Sequence, residues 1–369
     1  MKPRILFTDG EGPIVFKDLA ADITEKIVPG LFPMISLYDD YLAEVGTEGY
    51  QAGDTLALAV PTFLAHGVTD EDIVEEVKDP ENGAKVCRGV EEYIAGLKRD
   101  GYDVRIISTA YSPLWQLIGE HVGIPMEDIA CTDLDLNCLR ECFGSEEFTN
   151  AVLAAEQNIL SLIPLGEEAQ AEVDGGRDVV EVFEDPRFQA LKEGLDGFYW
   201  GQLPGMGFRV LEETIVMGGK RKIEAARRFA NDLGVEMSDV AYVGDSITDD
   251  AMHAHLSREG GLPIAINGNS YALRNARVAV ATEDMRNIRP VLDAWQAGGF
   301  EQVADFVDKA NETISFSRGR EGSPMHEEDK YGSVRYDLVD ATDQGSFDGI
   351  KQAHGATRKS VRGAAARLG

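Results

Sequence analysis

The stretch Arg4-Ile5-Leu6-Phe7-Thr8-Asp9-Gly10-Glu11-Gly12 decides how the rest of this sequence is interpreted. Its short apolar run stops at an acid, a glycine, a second acid and a second glycine, which predicts a buried strand of a parallel sheet followed by a turn. Ligands bind beyond the carboxyl ends of such strands, so Asp9 and Glu11 lie at a candidate site. An ordinary surface turn explains the stretch equally well, because Asp and Gly are common turn residues. The rest of the chain has to decide between the two.

The composition excludes several classes of function. The 369 residues include 65 acids and 35 bases, a formal net charge of −30. Such a charge disfavours nonspecific binding to nucleic acid and to anionic membrane surfaces. No apolar run is long enough to cross a bilayer, so we expect a cytoplasmic protein without membrane insertion.

The cysteines do not form a disulfide framework, because the chain has four in 369 residues. Cys131, Cys138 and Cys142 lie within a short segment, but they contain no paired C-x-x-C motif of a metal site. We therefore expect buried, reduced thiols rather than a metal centre.

Hydrophobic periodicity divides the chain into an α/β core and inserted regions. Strand-like runs such as Val104–Ile107 and Val240–Val243 alternate with amphipathic helices. The predicted division is a core of residues 1–15, 88–134 and 213–300, a helical insertion at 16–87, a second insertion at 135–212, and a C-terminal extension at 301–369. Within the second insertion, Val179–Phe183 is predicted as a strand. Beyond residue 320 the apolar pattern dissolves, which predicts a poorly packed, partly disordered tail.

Polar clusters follow three of the predicted strands. Asp9 and Glu11 follow the first strand, and Ser108 and Thr109 follow the second. The third cluster consists of Asp245, Asp249 and Asp250. A helix predicted before it begins with Lys220 and Lys222. The carboxyl ends of parallel strands lie on one edge of a sheet, so we expect these side chains to converge.

A divalent cation would relieve the repulsion among the converging carboxylates. Oxygen ligands alone suit Mg²⁺, which takes one or two carboxylates and a phosphate. Carboxylates, a hydroxyl, a lysine and a metal together suit phosphoryl transfer to or from a small phosphorylated substrate, because the charge on the phosphoryl oxygens has to be neutralised.

These motifs resemble those of the haloacid dehalogenase-like (HAD) hydrolase superfamily, archaeal type. The resemblance rests on Asp9 to Gly12, Ser108, the lysine helix, and Gly244-Asp245 with Asp249. It implies a doubly wound, mostly parallel, Rossmann-like α/β core with a helical cap after the first strand and a second cap position. The sequence departs from the family at Glu11, where an Asp is usual.

The resemblance implies a Mg²⁺-dependent phosphatase. Asp9 would be the nucleophile and Glu11 the general acid and base, while Ser108, Thr109 and Lys222 would bind the phosphoryl group. The implied metal ligands are Asp9, Glu11 through its backbone carbonyl, Asp245 and Asp249. Three alternatives stay open: Thr109 in place of Ser108, Lys220 in place of Lys222, and Asp250 exchanged with Asp249.

A second resemblance indicates another class of function. The Asp-Gly-Glu-Gly start and the Gly-Gly-x-Arg-Lys segment at 218–222 are similar to an archaeal group with this fold that is assigned to subunit R of energy-converting hydrogenase A. That resemblance implies a protein partner, the hydrogenase complex, and a non-catalytic or regulatory role.

Overall fold

A seven-stranded sheet organises the chain. The computed structural model describes residues 3–318 and 331–362, without the side chains of 312–318. The strands of the described residues are β1 Ile5–Thr8, β2 Val15–Phe16, β3 Lys85–Val86, β4 Asp103–Tyr111, β5 Ile129–Thr132, β6 Val240–Gly244, β7 Leu262–Ile266, β8 Val278–Thr282 and β9 Val334–Leu338. Strands β2 and β3 form a separate two-stranded sheet, and the others form the seven-stranded sheet. The sheet order is β5-β4-β1-β6-β7-β8-β9, parallel except that β9 runs antiparallel to β8.

Helices make up most of the remaining described residues. They are α1 Leu19–Ile27, α2 Leu31–Glu44, α3 Thr55–Ala65, α4 Asp70–Lys78, α5 Val90–Arg99, α6 Ser112–Val122, α7 Leu136–Phe143, α8 Glu146–Leu160, α9 Ile163–Asp174, α10 Val179–Phe183, α11 Gln189–Asp196, α12 Leu203–Gly205, α13 Val210–Glu213, α14 Lys220–Leu233, α15 Ile247–Glu259, α16 Ser270–Asn275, α17 Arg289–Gly298, α18 Phe300–Arg318 and α19 Gln344–Arg362. Within the described residues, none of them combines the length and the apolar character that a membrane span requires.

Both faces of the sheet are covered by helices. Phe7 and Tyr242 point to one face, where they pack in a cluster with residues of α14 and α15. Leu6 and Val243 point to the other face, where they pack with residues of α5, α6 and α17. Strands buried on both sides read as nearly continuous apolar runs, which is the pattern of the sequence. The predicted doubly wound, mostly parallel α/β fold is confirmed.

The two inserted regions pack against each other. The chain leaves the core at β2 and returns at β3, and this two-stranded ribbon closes the helices α1 to α4. Helix α8 packs on α3, and α9 and α10 pack on α2. Residues 135–212 therefore lie on the first insertion. The exact division into domains stays a prediction.

The predicted strand at Val179–Phe183 is wrong, because these residues form helix α10. The Asp178 side chain accepts hydrogen bonds from the backbone N–H groups of Val180 and Glu181, which caps the helix. Val179, Val182 and Phe183 then share one buried face at helical spacing. A short apolar run fits both structures, and here the cap and the packing on α2 favour the helix.

The predicted poor packing beyond residue 320 is wrong for residues 331–362. Strand β9 extends the sheet, with Val334 and Tyr336 buried, and α19 buries Phe347 and Ile350. The apolar positions of this segment are few, but they alternate in the strand and recur at helical spacing in α19, which suffices once the sheet offers a free edge. Residues 319–330 and 363–369 lie outside the described residues.

The cysteines are free, as predicted, but only one is buried. Cys87 is buried, Cys131 is half-buried, and Cys138 and Cys142 are exposed. The expectation of buried thiols is wrong for Cys138 and Cys142, because α7 buries Leu136 and leaves its cysteine face in solvent.

Candidate active site

Three acids converge where β1 and β6 end. Asp9 follows β1, Asp245 follows β6, and Asp249 lies in the first turn of α15. One carboxylate oxygen from each lies within 4.8 Å of the others, and all three residues are buried. The predicted convergence of these acids at one edge of the sheet is therefore present in the structure.

Lys222 lies among these acids. Helix α14 begins after Gly219, and its buried face consists of Lys222, Ala225, Ala226, Phe229 and Ala230. Lys222 Nζ lies 3.0 Å from Asp9 Oδ1 and 2.7 Å from Asp249 Oδ1. Burial alone lowers the pKa of this lysine, but the two carboxylates raise it above its ordinary value. The lysine is thus held as a cation between two acids.

The alternative residues lie elsewhere. Lys220 is exposed at the start of α14, so it does not reach the acids. Asp250 accepts hydrogen bonds from Arg274 at 2.6 Å and from Asn275 at 2.6 Å, which ties α15 to α16. The sequence left open Lys222 or Lys220, and Asp249 or Asp250. The structure brings Lys222 and Asp249 into the cluster of acids and leaves Lys220 and Asp250 outside it.

Asp249 has four hydrogen-bond donors around its carboxylate. Lys222 Nζ at 2.7 Å and Tyr242 Oη at 2.6 Å donate to Oδ1. The backbone N–H groups of Asp245 at 2.9 Å and Ser246 at 3.1 Å donate to Oδ2. Although burial opposes it, Lys222, His253 and the bond from Tyr242 lower the pKa of Asp249 below its ordinary value. Asp249 therefore fixes the loop after β6 and the lysine at the same time.

Asp9 is held through one oxygen. Its Oδ1 accepts from the backbone N–H of Gly10 at 2.7 Å and contacts Lys222 at 3.0 Å, and neither contact uses Oδ2. Burial and the carboxylate of Asp249 raise the pKa of Asp9 well above its ordinary value. Gly12 has a φ of +100°, and a Cβ there would lie 2.5 Å from the Asp245 carboxylate. A glycine is required at that position because the backbone passes so close to the acid.

The two hydroxyl residues of β4 differ in their contacts. Ser108 is fully buried, and its Oγ accepts from the backbone N–H of Ala110 at 3.1 Å. Thr109 Oγ1 donates to Glu11 Oε2 at 3.4 Å. Burial and the carboxylates of Asp18 and Asp9 raise the pKa of Glu11 well above its ordinary value. Thr109 is therefore the hydroxyl residue that contacts Glu11, whereas the hydrogen bond of Ser108 is to the backbone of its own strand.

Asp245 has contacts that the sequence did not predict. Arg358 of α19 donates to Asp245 Oδ2 at 2.5 Å, and Arg362 lies 3.3 Å from the same oxygen. Sequence reasoning missed both arginines because the tail was expected to be poorly packed. The one available signal was the basic character of that segment in an otherwise acidic chain.

The donor set fits a hard cation. Asp245 Oδ1 is buried and has no hydrogen-bond partner among the described residues. A buried carboxylate oxygen without a partner carries a high cost, which a bound cation removes. The three acids offer only oxygen atoms, and Mg²⁺ prefers oxygen ligands. The residues present therefore fit the metal that the sequence predicts.

A cavity of about 410 Å³ opens above the acids. Its lining joins the sheet edge to helices of the first insertion and to the end of α19, with Asp39 of α2 and Arg362 among the contributors. Residues 135–212 contribute nothing to the lining. The first insertion and the end of α19 therefore cover the site, and the second insertion packs on the first one from outside.

Comparisons with solved structures concern the fold alone. The chain is similar to gene product AF1437 from Archaeoglobus fulgidus, with a TM-score of 0.72 and 23% identity over 100% of this chain and 99% of that chain. It is also similar to a substrate-bound phosphoserine phosphatase (TM-score 0.46, 15% identity, 79% of this chain and 98% of that chain). A HAD family hydrolase from Salmonella enterica serovar Typhi gives a TM-score of 0.40 at 11% identity, over 73% of this chain and 64% of that chain. The last two likenesses are too weak to carry an argument.

No protein-family model matches the sequence, and no curated protein matches it significantly. The likeness to the Archaeoglobus protein extends over the whole chain and supports the doubly wound fold. What the site does has to be argued from its own residues.

Proposed function

We propose that this chain is a HAD-type phosphatase that hydrolyses a small phosphorylated metabolite through an aspartyl phosphate on Asp9, with Mg²⁺ as cofactor. The observation that carries the proposal is the convergence of Asp9, Lys222, Asp245 and Asp249 from three separate segments of the chain. Phosphoryl transfer needs positioned charges more than covalent chemistry from the protein, and this cluster supplies them. The complete set of acids favours catalysis over an accessory role in a hydrogenase complex.

The first half of the reaction forms the intermediate. Asp9 Oδ2, which the bonds to Gly10 and Lys222 do not use, attacks phosphorus in line with the ester oxygen. Lys222 and Ser108 hold the transferring phosphoryl group. The bond from phosphorus to the ester oxygen breaks, and Glu11 gives its proton to the departing oxygen.

The second half returns the enzyme to its starting state. Glu11, now deprotonated, takes a proton from a water molecule, whose oxygen attacks phosphorus. The bond from phosphorus to Asp9 breaks, which releases inorganic phosphate. Asp9, the backbone carbonyl of Glu11 and Asp245 would hold Mg²⁺, which neutralises phosphoryl charge when it is bound. Asp249, the further ligand that the family resemblance implies, would support the metal site by keeping Lys222 and the loop after β6 in place, since its oxygens already accept four hydrogen bonds.

The test is turnover of p-nitrophenyl phosphate with Mg²⁺ and with a chelator. Asp9→Asn should lower kcat by at least about 10⁴-fold, because an amide does not attack phosphorus. Asp250→Asn is the matched control, since Asp250 contacts Arg274 and Asn275 outside the cluster. It should keep kcat within a few-fold of the wild type.

Wild-type turnover in Asp9→Asn, with an unchanged circular dichroism spectrum, would remove the assignment of the nucleophile. Activity that is the same with Mg²⁺ and with chelator would contradict the proposed Mg²⁺ dependence. A panel of phosphorylated metabolites, assayed by phosphate release, would then identify the substrate of an active enzyme.

A further inference from the structure

The C-terminal helix brings two arginines to the predicted metal ligand Asp245. Arg358 and Arg362 are four residues apart on α19, so they lie on the same face of the helix. Their side chains are 4% and 13% exposed, and both lie within hydrogen-bond or ion-pair distance of Asp245 Oδ2. A segment more than a hundred residues away in sequence thus contacts the centre of the site.

The two arginines differ in how they hold Asp245. One nitrogen of Arg358 donates to Asp245 Oδ2 at 2.5 Å, to the backbone carbonyl of Asp245 at 2.9 Å and to the carbonyl of Asn267 at 3.4 Å. Arg358 thereby holds the side chain and the backbone of the same acid, and it ties both to the turn after β7. Arg362 is more exposed, lies 3.3 Å from Oδ2 and also lines the cavity.

The contacts of Asp245 are divided between its two oxygens. Both arginines use Oδ2, whereas Oδ1 is buried and has no hydrogen-bond partner among the described residues. A ligating carboxylate is commonly fixed by a hydrogen bond to the oxygen that does not ligate. The arrangement around Asp245 has that form, with the fixing group supplied by the C-terminal extension.

We propose that Arg358 is a positioning residue for the cation site: it holds Asp245 through Oδ2 and leaves Oδ1 to bind Mg²⁺. The C-terminal helix is then a required part of the site. This inference rests on the proposed Mg²⁺ site, and it concerns how strongly the site binds the metal.

The direction of the change in Mg²⁺ affinity shows whether Arg358 positions Asp245 or acts only as a positive charge that repels the metal. A cationic side chain beside a metal ligand repels the metal, so removal of a mere counter-charge strengthens metal binding. Removal of a group that orients the ligand weakens metal binding, typically by about 10–100-fold. The two roles therefore predict opposite changes in affinity after the same loss of positive charge.

The experiment is calorimetric titration of Mg²⁺ into the full-length protein without substrate. Arg358→Gln should raise the Mg²⁺ dissociation constant by about 10–100-fold. Arg362→Gln removes a charge from the same oxygen without the backbone contacts, and it should bind Mg²⁺ no more weakly than the wild type. Lys359→Gln, an exposed position on the same helix, controls for net charge and should match the wild type.

A dissociation constant for Arg358→Gln that equals the wild-type value, or lies below it, would overturn the inference. Circular dichroism and thermal unfolding without metal establish that the variant is folded. If it is not folded, Arg358→Lys takes its place, because it keeps the charge but not the planar guanidinium, and it too should weaken binding. Absence of Mg²⁺ binding in the wild type would instead contradict the proposed function, so the two failures are distinguishable.

Discussion

The acids on the two sides of the cavity are kept buried in different ways. On the sheet edge, Asp9 and Asp249 share the cation Lys222, and Asp249 also accepts two backbone N–H groups. On the helical side, Asp39 of α2 is 4% exposed and accepts from neutral donors, Tyr50 Oη at 2.7 Å and the N–H of Gly53 at 3.3 Å.

The difference has a consequence for charge. Burial raises the pKa of Asp39 to about 6, because its neutral donors do not offset the loss of hydration. Burial opposes ionisation of Asp249 as well, but Lys222 and the hydrogen bonds outweigh it and lower the pKa. Lys222 and the bond from Tyr242 therefore keep Asp249 charged although it is buried. Lys222 does not do the same for Asp9, whose pKa burial and the carboxylate of Asp249 raise well above its ordinary value.

Substitution of Lys222 is the most direct test of this difference between the sheet-edge acids and Asp39. Lys222→Met leaves two buried carboxylates without their shared cation, which should lower the free energy of unfolding by about 3–5 kcal/mol. The same change at exposed Lys220 should alter it by less than about 0.5 kcal/mol. Urea unfolding of both variants and the wild type measures the difference. A loss below 1 kcal/mol in a folded Lys222→Met would show that the acids share one proton rather than one cation.

Glu11 lines the cavity and accepts a hydrogen bond from Thr109, and it is the next position to test. Glu11→Gln should lower turnover of an alkyl phosphate by about 10²–10⁴-fold, because the amide does not exchange the proton. The loss should be smaller for p-nitrophenyl phosphate, whose leaving group needs little protonation. Phosphoenzyme on Asp9 should accumulate, and acid-quench mass spectrometry would detect it.

Glu11→Asp serves as the control for Glu11→Gln, since it keeps the acid and shortens its reach by one methylene. Its losses should be milder on both substrates. Equal losses for alkyl and aryl phosphates in Glu11→Gln, with no trapped intermediate, would assign the proton transfer to another residue.

Asp39 should produce the smallest effect, and one that depends on pH. Its pKa is higher in the folded protein, about 6, than the ordinary value of 3.8, so the folded state binds the proton more tightly. The free energy of unfolding should therefore fall as pH rises through the window from 3.8 to about 6. Asp39→Asn keeps an acceptor for Tyr50 and removes the contribution of Asp39 to this fall. That contribution is at most about 3 kcal/mol in the free energy of unfolding.

Urea unfolding at pH 4 and pH 7 checks the Asp39 prediction. Glu71→Gln, which removes an exposed acid of α4, is the control for the loss of one negative charge. The wild type and Glu71→Gln should show the same change between the two pH values, and Asp39→Asn should show a smaller one. Identical changes in all three proteins would contradict a raised pKa at Asp39.

The amino-acid sequence by itself determined the core sheet and the acids at its edge. Apolar runs that end in polar turns are a local signal, and parallel strands bring their carboxyl ends together, so Asp9, Asp245 and Asp249 could be placed beside one another in advance. The choice between Lys222 and Lys220 stayed open in the sequence, and the structure places Lys222 on the buried face of α14 with Ala225 and Phe229.

Tertiary structure alone decided the parts that depend on long-range contacts. The run Val179–Phe183 fits a strand or a helix by pattern, and the packing of α10 on α2 selected the helix. The tail has too few apolar residues to form a core of its own, but the free edge of β8 offers it hydrogen bonds and a surface. Arg358 reaches Asp245 only because that edge holds α19 in place, and a contact between residues 113 positions apart leaves no periodic trace in the sequence.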